Sequence, residues 1–161
     1  MENKYNKGFT MLELLIVIVI IGIISSIVLV NLSSFRNEQA LRNTAVDIVA
    51  LLNKARQNTI SSVNSSNYSV HFESGRAVLF TGSTYSSSNS TNEPIDFSPV
   101  VAIPATGGIN ISGGGSDITF ERLTGGVING TIDSTVVLEL VSDSTKQKTI
   151  TISKMGVVSL N

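Results

Sequence analysis

One ionisable side chain lies inside an otherwise apolar run near the start of the chain, and it raises the first chemical question. In "KGFTMLELLIVIVIIGIISSIVLV", Glu13 follows a Gly8-Phe9 step by four residues, and no charge occurs again from Leu14 to Phe35. An acid at the centre of a membrane-length helix costs about 2.5–3.5 kcal/mol on insertion scales, and less near the helix end. Two readings stay open. In the first, Glu13 lies at the water interface and its carboxylate reaches out to solvent. In the second, it has a cation to meet. A cut between Gly8 and Phe9 would place a new α-ammonium one helical turn from Glu13, where the positive end of the helix dipole also favours a negative charge. The amine of a neighbouring subunit would serve equally well.

The remaining reactive side chains are sparse. With no cysteine and one histidine, the chain holds neither a thiolate metal site nor a Cys-His nucleophile pair. His71 alternates onto the polar side of a predicted strand, which makes it solvent-facing without a catalytic task. No serine sits in a G-x-S-x-G elbow, and "GGINISGGGS" lacks the lysine of a phosphate-binding loop. Asp96, Asp117, Asp133 and Asp143 fall in or beside turns. Turn formation accounts for them without a calcium ion. Lys146, Lys148 and Lys154 form a small basic group that is either a solvated strand face or a weak phosphate contact for DNA. The sequence therefore predicts no enzyme, no metal and no cofactor.

These residues must be positioned by two kinds of element. The uncharged stretch from Leu14 to Phe35 meets the about 20 helical residues that cross a bilayer core. It is too long for the apolar core of a cleaved secretory signal, and no small-residue cleavage site follows it. Lys4 and Lys7 precede it, which places the N-terminus in the cytoplasm and the bulk of the chain outside. Beyond it, Leu41, Ala45, Ile48, Leu52 and Ala55 recur at steps of four and three and define one buried helix face, widened by Val46 and Val49. An unbroken helix from Phe9 to about Val63 would be about 80 Å long.

After the turn formers "SSVNSSN", the period changes to two. Tyr68, Val70 and Phe72 share one strand face, and Glu73-Ser74-Gly75-Arg76 reads as a hairpin turn into "AVLFT". "GSTYSSSNSTNE" reads as an exposed loop. "IDFSPVVAI", "GINIS", "DITFERL", "GVINGTIDS", "TVVLELVS" and "KTITISKMGVVSL" read as further short strands. The fold class is α+β: a long N-terminal α-helix, transmembrane in its first half and amphipathic in its second, packed on an antiparallel β-rich head. The boundaries are 1–8 for a leader, 9–35 for the membrane and assembly helix, 36–64 for the amphipathic helix and 65–161 for the head. Charged residues are 14% of the chain and the net charge is -1, which gives no electrostatic case for nucleic acid as an obligate partner.

The N-terminal stretch closely resembles that of type IV pilins and pseudopilins: a short basic leader ending in Gly, then Phe, then Glu inside an apolar helix. The resemblance implies cleavage after Gly8 by a prepilin peptidase, N-methylation of Phe9, and contact between Glu13 and the first residue of an adjacent subunit during assembly. Val30 stands where many members carry a helix-kinking proline. The head is similar to the H-type minor pseudopilins (the GspH/FimT family) at Ala55, Arg56, Ile60, Val70, Phe72, Ile118, Thr119, Phe120, Gly125, Ile150, Ile152 and Gly156. By this resemblance the chain is a minor subunit of a type IV pilus or type II secretion filament. Its partners are other pilin subunits, the peptidase, an assembly platform protein and an ATPase. It starts in the inner membrane and moves to a periplasmic or surface filament. A DNA-uptake minor pilin, a major pilin of a surface fibre and a plain single-pass anchored β-domain are the alternatives.

Overall fold

The computed structural model describes residues 8–161, the side chains of residues 27–31 excepted. The expected leader 1–8 thus lies outside the described residues except for Gly8. Helix α1 runs from Met11 to Ile60. The chain divides into two compact units, Met1–Arg36 and Asn37–Asn161.

In the first unit, α1 follows the three non-helical residues Gly8, Phe9 and Thr10. Every residue described from Gly8 to Ser26 is exposed, as are Leu32 and Phe35. Its apolar residues go all the way round, so they leave no polar face to meet water. Among the described residues no helix is long and apolar enough to cross a membrane. The expected span, Leu14–Phe35, includes residues 27–31, whose side chains lie outside those described.

In the second unit, α1 presents Leu41, Ala45, Ile48, Leu52 and Ala55 to the core, with Thr44, Leu51 and Thr59 buried beside them. Of the two residues expected to widen the stripe, Val49 does and Val46 does not, and Leu51 widens it on the other side. At 100° per residue Val46 lies about 140° round from Leu41, and it is exposed, whereas Leu51 falls about 80° round on the other side. Val49 packs at the edge of the core.

Two antiparallel sheets complete the head. The first has the order β3-β2-β1-β6 and comprises Tyr68–Glu73 (β1), Arg76–Thr81 (β2), Glu93–Asp96 (β3) and Asp117–Thr119 (β6). The second has the order β4-β7-β8-β9, with β5 also on β7. It comprises Val101–Ala102 (β4), Ile109–Asn110 (β5), Ser134–Leu140 (β7), Asp143–Ile152 (β8) and Val158–Leu160 (β9). The inward set Val70, Phe72, Leu79, Ile118, Phe120, Val136, Leu138, Ile150 and Ile152 joins the helix face in one core. "GVINGTIDS" is not a strand. Before Ser134, where β7 begins, Val127 makes an isolated bridge to Phe120, and Asn129 adopts a left-handed conformation at φ 58°. Ser112 pins this irregular stretch, its hydroxyl accepting from the backbone N–H groups of Thr131 at 2.9 Å and Ile132 at 3.2 Å.

The end of α1 is locked to two loops. Arg56 Nε donates to the Gly125 carbonyl at 3.1 Å. Gly125 (φ 67°) and Gly156 (φ 76°) let the 121–126 turn and the turn after β8 approach each other. A Cβ on Gly156 would sit 1.9 Å from the Gly125 oxygen. Four scattered sequence positions, Arg56, Ile60, Gly125 and Gly156, thereby meet at one point. Gly156→Ala is expected to cost about 3 kcal/mol or more, since neither backbone can yield. Gly82→Ala, at φ 101° with open space around its Cβ, is expected to cost only about 1 kcal/mol. Thermal denaturation of the two variants checks the difference.

Candidate functional site

The N-terminal constellation is built on the start of α1. Gly8, Phe9 and Thr10 precede the helix, and Phe9 is 84% exposed. Thr10 caps it: its hydroxyl accepts from the Glu13 N–H at 3.1 Å, and its carbonyl accepts from the Leu14 N–H at 3.2 Å. Thr10-x-x-Glu13 is therefore a capping-box sequence, with the acid in the first turn where the helix dipole favours it. The sequence reading missed this cap, although the T-x-x-E spacing before an apolar run displays it. Beyond its chain neighbours, no described residue comes within 4 Å of a virtual Cβ on Gly8. Further along, the Ser26 hydroxyl donates to the Ile23 carbonyl at 2.8 Å, which satisfies it without solvent.

The head contains a cluster of ionisable side chains where the sequence placed a solvent-facing histidine. His71 is not simply solvent-facing, because its side chain is 19% exposed and Nδ1 meets Asp117 Oδ1 at 2.5 Å. A carboxylate only accepts, so Nδ1 carries the proton. Nε2 is 3.7 Å from Glu73 Oε1, and Tyr85 stacks on the ring with centroids 3.9 Å apart. Tyr85 also meets the edge of Phe80, so the expected free loop at 82–92 is clipped to the outer face of the first sheet. The His71–Asp117 contact and the Tyr85 stack together tie the loop to the strand beneath it. The cluster is a fastening.

Of the four aspartates expected at turns, Asp96 ends β3 and the other three have protein partners. Asp117 takes His71, Asp133 accepts from the Lys154 N–H at 3.1 Å, and Asp143 accepts from the N–H and hydroxyl of Thr145. Among the described residues no group of three or more His, Asp or Glu side chains could hold a metal ion. The three lysines do not make one patch. Lys146 pairs with Glu38 at 2.8 Å and lines a groove with Arg42 and Lys148. Lys154 lies about 20 Å further along, at ~3.3 Å per residue, in a groove with Arg56 and Glu121.

Comparison with known proteins separates the two units. Residues 3–29 match the family described as "Prokaryotic N-terminal methylation motif". The chain carries a pilin-type methylation motif. The type II secretion system core protein G of Aeromonas hydrophila is 42% identical over 53 residues, 33% of this chain and 37% of that protein. The protein of the same name from Klebsiella michiganensis is 41% identical over 51 residues, 32% of this chain and 36% of that protein. The match thus spans little more than a third of these relatives' length. By structure, the type IV minor pilin FimU of Pseudomonas aeruginosa superposes with a TM-score of 0.58. It is 16% identical and covers 79% of this chain and 92% of that chain. A second crystal form of FimU gives 0.55. The long helix and antiparallel sheets are the pilin fold, and motif, relatives and fold together fit the pilin and pseudopilin family.

The hairpin turn between β1 and β2 yields a pH test. Arg76 bonds both oxygens of Glu73, at 2.8 and 2.9 Å, and this bidentate pair holds the Glu73 carboxyl below its usual range. A carboxyl depressed in the folded state contributes stability above its unfolded value, and that contribution is lost as pH falls through the folded one. Arg76→Gln should therefore lower the denaturation midpoint at pH 7, with the gap to the parent closing as pH falls through the depressed folded value. Solvent screening keeps the gap small.

Proposed function

We propose that this chain is a structural filament subunit, a minor pilin or pseudopilin, made as a precursor and trimmed between Gly8 and Phe9. The observation that carries the reading is the pairing of a methylation-motif N-terminus with an apolar helix that nothing in the described chain covers. Leaving a single Leu or Ile side chain in water instead of burying it forgoes about 1.5–3 kcal/mol. The exposed run from Leu12 to Ile24 therefore needs lipid, other helices, or both in succession. The Leu14–Phe35 segment holds the precursor in the inner membrane, with the leader lysines on the cytoplasmic side and the head outside.

Processing converts Glu13 from a cost into an instruction. Cleavage puts an α-ammonium on Phe9, which methylation leaves able to carry its charge. Glu13 of an incoming subunit, already at a favourable helix start, neutralises that amine on its neighbour. In low dielectric an unpaired charge is costly and a paired one far less so, so the correct register is selected as the helices leave the lipid. The prepilin peptidase, a platform protein and an ATPase are the partners this route requires. The role in this reading is structural, and the one histidine fastens a loop to the head. The separation of Lys154 from Lys146, and the pairing of Lys146 with Glu38, favour a filament subunit over a DNA-contact role.

N-terminal sequencing or intact-mass measurement of membrane-extracted protein should find a chain starting at methylated Phe9. An intact Met1 in cells containing the peptidase would contradict the reading. Glu13→Ala should still be cleaved but should drop at least about tenfold in the sheared filament fraction, the equivalent of ~1.4 kcal/mol.

A further inference from the structure

The groove between α1 and the start of β8 gathers cations that the fold does not use. It measures about 200 Å³, and Glu38, Leu41, Arg42, Lys146, Gln147 and Lys148 line it. Lys146 and Lys148 alternate in step with Ile150 and Ile152, the buried residues of β8, and Lys148 is the register partner of buried Leu138. This end of the strand therefore carries lysine at positions where the core would take an apolar side chain. Glu38 is the one carboxylate among the lining residues, and it is turned to Lys146 at 2.8 Å. Both members of that pair are half-exposed, so it is weak and open to exchange. Asp143 at the rim is bonded to the N–H and hydroxyl of Thr145, while Glu139, between buried Leu138 and Leu140, faces the other side of the sheet. Among the described residues neither Arg42 nor Lys148 has an ion-pair partner. Three cations thus stand against Glu38 and a rim carboxylate that is already engaged.

The place of the groove in the chain indicates what meets it. The Glu38–Lys146 pair ties the start of β8 to α1 three residues past Phe35, where the uncharged run ends. Arg42 follows Phe35 by seven residues, about 10 Å along a helix. The headgroup layer adds about 5–8 Å to each side of the hydrocarbon core. Charges in water act over a further ~8 Å at physiological ionic strength. A chain held in the bilayer by its Leu14–Phe35 segment keeps these cations within reach of headgroup phosphates. The anchor also makes the contact intramolecular, so a few weak ion pairs suffice. A DNA backbone offers no such tether and calls for a longer basic track.

We propose that the Arg42–Lys146–Lys148 groove binds the phosphates of anionic phospholipid headgroups on the outer face of the membrane. This rests on the membrane-held precursor of the filament-subunit reading and adds to it a docked position for the head. The contact holds the head against the bilayer before assembly and is given up when the helix leaves the lipid, because the phosphates stay behind.

The chain has no cysteine, so Ser142→Cys in the exposed β7–β8 turn carries a single fluorophore without background. The labelled full-length chain is placed in nanodiscs of phosphatidylcholine with or without about 30% phosphatidylglycerol, plus a trace of headgroup-nitroxide lipid that quenches a docked head. The ratio of docked to undocked heads is expected to rise at least about fivefold with phosphatidylglycerol, the weight of one basic residue at an anionic surface. The rise should vanish at about 1 M salt. Arg42→Gln, Lys146→Gln and Lys148→Gln together should abolish it. Lys146→Arg with Lys148→Arg should keep it, as should Lys154→Gln in the separate groove with Arg56. Equal quenching in the two lipids, or a rise that survives the three glutamine substitutions, overturns the site. Loss of the rise on adding inorganic phosphate at constant ionic strength assigns the groove to free anions and overturns the lipid. Displacement by duplex DNA, but not by phosphatidylglycerol vesicles, overturns it in favour of nucleic acid. Failure of the full-length chain to enter nanodiscs of either composition would instead contradict the membrane-held precursor of the proposed function.

Discussion

The chain is organised around an apolar helix whose described side chains, from Phe9 to Ile24, none of the described residues cover. From Phe9 to Ile24 the large side chains are exposed, and no polar face exists to reconcile them with water. A sequence can carry such a segment only if lipid or other helices cover it. A lone carboxylate at its start then acquires significance, because it is the one group there that distinguishes a partner with a matching charge from an indifferent apolar surface. Thr10 prepares that carboxylate by capping the helix, and the helix dipole tolerates its charge before a partner arrives.

The head solves a different problem, that of staying folded while its helix is engaged elsewhere. Its core needs no contribution from the first unit: the Leu41–Ala55 face and the inward strands bury one another. The Arg56–Gly125–Gly156 lock closes the core at the end of the helix, and the His71–Tyr85 stack fastens the long loop over the outer sheet face. A solved structure at 16% identity shares the overall fold, so the fold itself tolerates wide sequence change.

The parts that were legible in the sequence are those with local periodicity. The helix stripe, the β1–β2 hairpin around Ser74-Gly75 and the alternation along β7 are each set by neighbours within a few residues. What escaped depends on contacts distant in the chain. Tyr85 looks like one aromatic in a polar loop until His71 and Phe80 are brought beneath it. "GVINGTIDS" alternates like a strand, but Ser112 takes its backbone N–H groups and leaves no partner strand to bond. Gly125 and Gly156 stood out only as members of a loose family pattern; their reason, a backbone approach that a Cβ would block, is visible only in three dimensions. In the N-terminal site, Gly8, Phe9 and Glu13 were readable because their relation is one of spacing, whereas the Thr10 cap was equally readable and was passed over.

The central claim is that the Glu13 carboxylate meets the Phe9 amine of an adjacent subunit. A density map of a purified filament containing this subunit, at a resolution that shows side chains, tests it most directly. The account predicts a Glu13 carboxylate oxygen within about 3 Å of a neighbouring subunit's α-amine, the spacing of a charge-assisted hydrogen bond. A Glu13 turned to solvent, with no cationic group within about 6 Å, would contradict it.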